Sequence, residues 1–291
     1  MKLRRTMLFM PGNNPGMIQN ASILGADSVI LDLEDAVSID EKDAARMLVR
    51  NALSTLDFSG CEVVVRINSI QSDFGYDDLN VIARVKPDAI LVPKATSDDI
   101  EEIDEILSII EREEGFKLGS IKLLPLVETA IGLENIRETI LASKRNIGVL
   151  LGAEDLTADM GIKRTREGNE IFYARNRVAS ICKAYKIDAI DTPFADVNDV
   201  EGLIEDTKRA KAIGMTGKAA INPRQIDYIH EVFSPSMEEI MYAKRVLKAK
   251  EEALKEGKGV FSLDGKMVDA PIIQRAENII LKAKLAGIIR E

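Results

Sequence analysis

Two apolar runs in this sequence end abruptly on carboxylates: Leu123-Leu-Pro-Leu-Val-Glu128 and Val149-Leu-Leu-Gly-Ala-Glu-Asp155. Each reads as a buried strand that delivers an acid to its C-terminal end. The chain holds a single histidine and two cysteines, so a zinc site built on nitrogen and sulfur is disfavoured. Two carboxylates suit Mg²⁺, which takes few acidic ligands and completes its octahedral shell with waters and substrate oxygens. The alternative is a pair of carboxylates that merely stabilise helix N-termini through the macrodipole.

Other strand-end residues extend this chemistry. Arg66 and Asn68 share one face of a strand, and a guanidinium there can clamp a substrate carboxylate bidentately or pair with a nearby acid. Asp32 and Glu34 also share a face. With Asp35 they form either a metal-supporting and substrate-orienting network or a structural ion pair with Lys42 or Arg46, because buried carboxylates need partners. Lys94 and Lys218 lie at strand ends, where a lysine can form a Schiff base with a carbonyl substrate, pair with an acid or meet phosphate. His230 falls in an amphipathic helical pattern and reads as a packing residue; a Ser-His-Asp hydrolase would depend wholly on it. Gly214-Met-Thr-Gly-Lys218 lacks the spacing of a P-loop.

The elements that must position these residues alternate regularly. Eight strands are expected at Met7–Met10, Ser28–Glu34, Val63–Asn68, Ala89–Lys94, Lys122–Glu128, Ile147–Ala153, Ala189–Phe194 and Gly217–Asn222, with helical patterns between them. Ser38-x-x-Glu41 reads as a capping box opening a helix through Leu53. Ile100, Ile103, Ile106, Leu107 and Ile110 form a stripe at helical spacing, and Val200 to Ala212 carries another. Eight strand–helix units predict an α/β fold, a (β/α)8 TIM barrel over residues 1–233 with its site at the C-terminal strand ends. The rival is a doubly wound sheet, whose Gly-rich dinucleotide turn is missing. Residues 234–291 are expected as a C-terminal helical extension or lid, with helices at Met237–Glu256 and Ile272–Ala286 and a hinge at Gly257–Gly259.

The totals narrow the function class. The chain has 291 residues, 46% hydrophobic, 4% aromatic, with a formal net charge of −9. That balance argues against a nucleic-acid partner, which requires a basic footprint. No apolar run reaches the length of a membrane span, and the basic start is followed by too short an apolar stretch for a signal peptide. Isolated Cys61 and Cys182 fit a reducing compartment, so a cytoplasmic location is expected.

Several motifs occur in a characteristic order: Phe9-Met-Pro-Gly-Asn-Asn-Pro15, Val29-Ile-Leu-Asp-Leu-Glu-Asp-Ala-Val37 with Lys42 and Arg46, Val65-Arg-Ile-Asn68, Leu126-Val-Glu-Thr129, Gly152-Ala-Glu-Asp-Leu156, Gly217-Lys-Ala-Ala-Ile-Asn-Pro-Arg-Gln225 and Asp264-Gly-Lys-Met-Val-Asp-Ala-Pro271. Together they resemble the citrate lyase β subunits, within the group of HpcH/HpaI-type aldolases and malyl-CoA lyases, over nearly the whole chain. The resemblance implies a Mg²⁺-dependent lyase that splits a citryl thioester, on an acyl-carrier protein or CoA, into oxaloacetate and an acetyl thioester. Stand-alone malyl-, citramalyl- or methylmalyl-CoA lyases share that chemistry; a Schiff-base aldolase and a non-catalytic subunit are the more distant readings. It further implies Glu128 and Asp155 as metal ligands, Arg66 as the carboxylate-binding and catalytic arginine, and Asp269 as an acid/base contributed by a neighbouring subunit. Glu34, Asp35 and Lys218 complete the expected substrate-binding set. The implied partners are citrate lyase α and γ subunits and further copies of the chain, in a homo-oligomer. Many relatives read Ile-His-Pro where this chain has Ile221-Asn-Pro223.

Overall fold

The computed structural model describes residues 2–255 and 260–290. The chain divides into two compact units, one of Arg4–His230 and one that groups Met1–Leu3 with Glu231–Glu291. That division falls inside the Ile226–Phe233 helix, at whose end the sequence places its boundary.

In the first unit, β1 (Thr6–Pro11), β2 (Ser28–Asp32), β3 (Glu62–Arg66), β4 (Ala89–Val92), β5 (Lys122–Val127), β6 (Gly148–Leu151), β7 (Asp188–Asp191) and β8 (Gly217–Ala220) close a barrel in sequence order. Every pairing is parallel, and β8 returns to β1 with Thr6 opposite Lys218. Met7, Ile30, Val64, Leu91, Leu124, Leu126, Leu150, Ile190 and Ala219 pack as one buried cluster. They are alternate residues of their strands, so one parity fills the barrel and the other meets the helices. The Ser97–Glu113 helix shows the outer layer: Ile100, Ile103, Leu107 and Ile110 are buried, and Thr96 and Asp99 form a reciprocal capping box.

Two local expectations are corrected. From β2 onward, each strand stops one to three residues short of its expected end. Asp32 and Arg66 therefore sit at the last paired position, Glu34, Lys94 and Glu128 in the residues just after a strand, and Asp155 in the first turn of a helix. Ser38 makes no capping hydrogen bond; a 3-10 turn over Ile39–Glu41 precedes the Lys42–Thr55 helix.

The N-terminal end of the barrel is closed by charge. Arg4 bridges Glu62 at 2.6 and 2.8 Å and Asp188 at 2.6 Å, while Ser28 also donates to Glu62. Gly217 accommodates this plug: a Cβ there would lie 1.8 Å from the Arg4 carbonyl oxygen.

The second unit pairs the helices Met237–Lys255 and Ala270–Leu285 with an antiparallel hairpin, β9 (Phe261–Leu263) and β10 (Lys266–Val268). Asp264 and Gly265, both at positive φ, make its two-residue turn, the dipeptide chemistry that such hairpins favour. Ala243, Val246, Val268 and Ala276 form its core. The hairpin was not among the expected elements, and the expected hinge at Gly257–Gly259 lies outside the described residues.

Candidate active site and metal centre

One step beyond the barrel core, the same inward parity presents Asp32, Arg66, Glu128, Gly152, Thr192 and Ile221. These residues, with Phe9, Asp35, Asp155 and others, line a cavity of about 350 Å³ at the C-terminal strand ends. A larger groove of about 600 Å³ runs along the outside of the Ser97–Glu113 helix, lined by Glu101, Asp104, Glu105 and Arg112. No strand-end residue reaches it, so the smaller cavity is the candidate site.

Arg66 organises one wall. Its Nε and Nη2 donate to the two Asp32 oxygens at 2.7 and 2.6 Å. Its Nη1 meets Asp35 at 3.2 Å and Glu34 Oε2 at 2.9 Å, and its guanidinium lies 5.2 Å from the centre of the Phe9 ring. Burial opposes the Arg66 charge, but Asp32, Glu34 and Asp35 outweigh it and raise its pKa. The planar edge expected to clamp a substrate is thus already closed on Asp32. The partners proposed from sequence for Asp32 and Glu34 are elsewhere: Lys42 donates to the Leu33 and Glu34 carbonyls, and Arg46 to Asp78 and Asp43.

Glu128 is buried at the end of β5, with 2% exposure. Burial, then the Glu34 charge, push its pKa up to about 8; the Lys94 N–H opposes them and Asp155 adds to them. Lys94 donates that N–H to Glu128 Oε1 at 2.8 Å from a left-handed backbone, φ +46°. A side chain at Gly152 would collide with Glu128, its Cβ lying 2.7 Å from Glu128 Cβ and 2.8 Å from Oε2. Asp155 stands exposed in the first turn of the Ala153–Asp159 helix, also the place its macrodipole favours for an acid. Glu34 is raised in pKa by burial first, and its Oε2 faces Arg66 without hydrogen-bond geometry, counting as a buried oxygen with no hydrogen-bond partner.

These residues fit a hard divalent cation. Glu128 pushed up to about 8 by burial and the Glu34 charge, an under-satisfied Glu34 oxygen and an exposed Asp155 together mark a crowding of acids that a cation would relieve. Among the described residues no three His, Cys, Asp or Glu side chains group as a ready ligand set; for Mg²⁺ two carboxylates suffice when waters and substrate fill the shell.

The structure gives other expected residues partners of their own. Lys218 has the parity opposite to Ala219, so it points outward behind the barrel wall. There it is fully buried and donates to Asp191 and Asp206, both at 2.6 Å; the expected substrate contact is corrected by that register. His230 lies at the opposite end of the barrel, 2.8 Å from Thr6 Oγ1. Asp269 belongs to the second unit, where its Oδ1 accepts from Ile272 N at 3.3 Å and caps the last helix, with Pro271 in the first turn. Sequence reasoning missed the backbone role of Lys94 and the cradle at Gly152. A glycine directly after an apolar strand was the available signal for the latter.

The model of the HpcH/HpaI aldolase/citrate lyase family matches residues 5–223. The chain is 42% identical to a citrate lyase subunit beta of Leuconostoc mesenteroides, covering 96% of this chain and 93% of that one. It is 35% identical to the human mitochondrial citramalyl-CoA lyase, over 96% of this chain and 85% of the relative. Among solved structures, the CitE protein of Mycobacterium tuberculosis in complex with magnesium, acetoacetate and coenzyme A superposes with a TM-score of 0.79 at 30% identity, over 98% of both chains. With a closed eight-stranded barrel and an acid-rich pocket at its C-terminal end, this chain belongs to the HpcH/HpaI aldolase/citrate lyase family.

Proposed function

We propose that this carbon–carbon lyase cleaves a citryl thioester, carried on an acyl-carrier protein or on CoA, to oxaloacetate and an acetyl thioester with Mg²⁺ bound. The observation that carries the reading is the excess of carboxylate around Glu128 in a cavity that also presents a buried arginine. Glu128 and Asp155 would hold the cation, which supplies positive charge to the substrate hydroxyl as it becomes a ketone oxygen. Arg66, locked by Asp32, contributes a fixed charge toward a substrate carboxylate, with Asp35 beside it. Phe9, Leu126, Leu150, Pro193 and Ile221 give the cavity apolar walls, which limit water at the reacting carbons.

In the reaction the hydroxyl proton leaves and the C–C bond breaks. Its electron pair passes to the α-carbon of the acetyl thioester, and that carbon takes a proton. We assign the proton donor to Asp269, delivered by the C-terminal unit of a neighbouring copy in a homo-oligomer, as the family resemblance suggests. The assembly would sit in the cytoplasm and include citrate lyase α and γ subunits. A Schiff-base mechanism has poor support: Lys218 is saturated, and the charges of Glu34, Glu128 and Asp155 overcome burial to raise the Lys94 pKa and keep its amine protonated.

The test is an assay of citryl-CoA, malyl-CoA and citramalyl-CoA with and without Mg²⁺. Preferential citryl cleavage abolished by EDTA is expected; metal-independent turnover, or borohydride trapping with substrate, overturns the reading. Preference for citramalyl-CoA would instead align the chain with its human relative. Mixing Asp269→Asn with Glu128→Gln subunits under exchanging conditions should restore activity if the site is shared between copies. Mixed oligomers that stay inactive reject that arrangement.

A further inference from the structure

Every Arg66 nitrogen that faces this site already meets a carboxylate: Nε and Nη2 on Asp32, Nη1 on Glu34 and Asp35. Beside the fixed charge of Arg66, a substrate bearing more than one carboxylate therefore needs a second cation, one that can let go of its present partner. Lys94 has that character. Its ammonium lies 3.7 Å from Glu34 Oε1, long for an ion pair, and its side chain is 52% exposed. Its backbone, by contrast, is pinned by the 2.8 Å hydrogen bond to Glu128. A fixed anchor and a loose four-carbon arm place one movable charge beside the carboxylates that a divalent cation would neutralise.

We propose that the Lys94 ammonium is a substrate-carboxylate receptor, held on Glu34 in the metal-free pocket and released to the bound acid when a divalent cation neutralises the neighbouring carboxylates. The inference rests on the reading of the pocket as a magnesium-dependent lyase site. Two like charges compete for the same acidic groups, so the ammonium opposes metal binding. Once the cation is in place Glu34 holds Lys94 less strongly, and a substrate carboxylate becomes its better partner. Metal and acid thus bind synergistically, and removing the ammonium moves the two affinities in opposite directions. A merely structural lysine would lower both or neither.

The experiment measures two affinities by calorimetry: Mg²⁺ alone, and oxaloacetate at saturating Mg²⁺. In Lys94→Met, Mg²⁺ should bind about threefold tighter, the scale of one exposed charge interaction. Oxaloacetate should bind about tenfold more weakly, the scale of one charge-assisted hydrogen bond. Lys94→Arg should restore both toward the wild type. Lys94→Gly, which suits the left-handed backbone and removes the side chain, should reproduce the methionine variant and so separate lost charge from misfolding. Unchanged oxaloacetate affinity in the Met and Gly variants, or a parallel loss of metal and acid, overturns the proposal. A wild type that binds neither Mg²⁺ nor oxaloacetate sinks the lyase reading itself, and this inference with it. A wild type that binds both, with variants that behave alike, sinks the role of Lys94 alone.

Discussion

Two ion clusters of the barrel unit behave as opposites. Behind β7 and β8, Arg175 grips Asp191 at 2.8 and 2.9 Å and Asp206 at 2.8 Å, while Lys218 donates to both acids at 2.6 Å. Two cations meet two acids, and all four side chains are at most 3% exposed. There the Asp206 pKa is lowered: burial works against its charge, but Lys218 and Arg175 prevail. Around the pocket, five carboxylates (Asp32, Glu34, Asp35, Glu128, Asp155) have Arg66 and Lys94 as their cations among the described residues, and Glu128 is pushed up to about 8. A balanced cluster has satisfied its own desolvation cost and leaves no role for a ligand. An unbalanced one keeps a charge deficit that a cation can fill, which makes it the candidate site.

The sharpest way to break this contrast is to neutralise the pocket acid. Glu128→Gln should leave the fold intact and reduce Mg²⁺ affinity and turnover by more than about a hundredfold, since even partners outside the ligand shell typically cost ten- to a hundredfold. Titration calorimetry and the thioester assay check it, and wild-type metal affinity in the variant would end the functional reading of that cluster. The converse change belongs to the back cluster. Lys218→Met should cost about 3–5 kcal/mol of stability by stranding buried aspartates, while Mg²⁺ affinity stays at the wild-type value. Denaturant unfolding alongside metal titration measures both; a selective loss of metal binding would return Lys218 to the site.

The smallest effect concerns pH. Because the folded Glu128 pKa of about 8 lies above the ordinary carboxylate value, the folded state holds the extra proton. The resulting stability is fully present below the unfolded pKa of about 4.3 and is lost as pH rises through about 8. Metal-free protein should therefore show a thermal midpoint falling by several degrees over that window, at about 2–4 °C per kcal/mol for a chain of this kind. The fall should flatten in Glu128→Gln and be offset by Mg²⁺, whose binding should release protons below pH 8. A slope indifferent to the substitution would show that Glu128 ionises normally.

Much of the site was legible before the fold was seen. Short apolar runs ending in Glu128, Asp155 and Arg66 announce their own strand ends, because strands buried on both faces require continuous apolar sequence and the first polar residue marks the exit. Lys218 shows where that logic stops. It stands at the start of β8, whereas Lys94 follows the end of β4; inward parity there belongs to Ala219, and a single-residue change of phase sends a side chain to the opposite face. Nearly uniform apolar strands carry no alternation from which to read that phase.

The sequence alone determined the eight-unit alternation, the barrel and the acids available for a hard cation, since these follow from local periodicity and residue chemistry. Pairing partners were decided by tertiary structure. Arg66 rather than Lys42 or Arg46 meets Asp32 and Glu34, because β2 and β3 align Asp32 with Arg66 in register. The Lys94 amide reaches Glu128 because β4 and β5 are neighbours in the barrel and the chain turns left-handed where β4 ends. Such contacts depend on the distance between residues remote along the chain, and only closure of the barrel sets that distance.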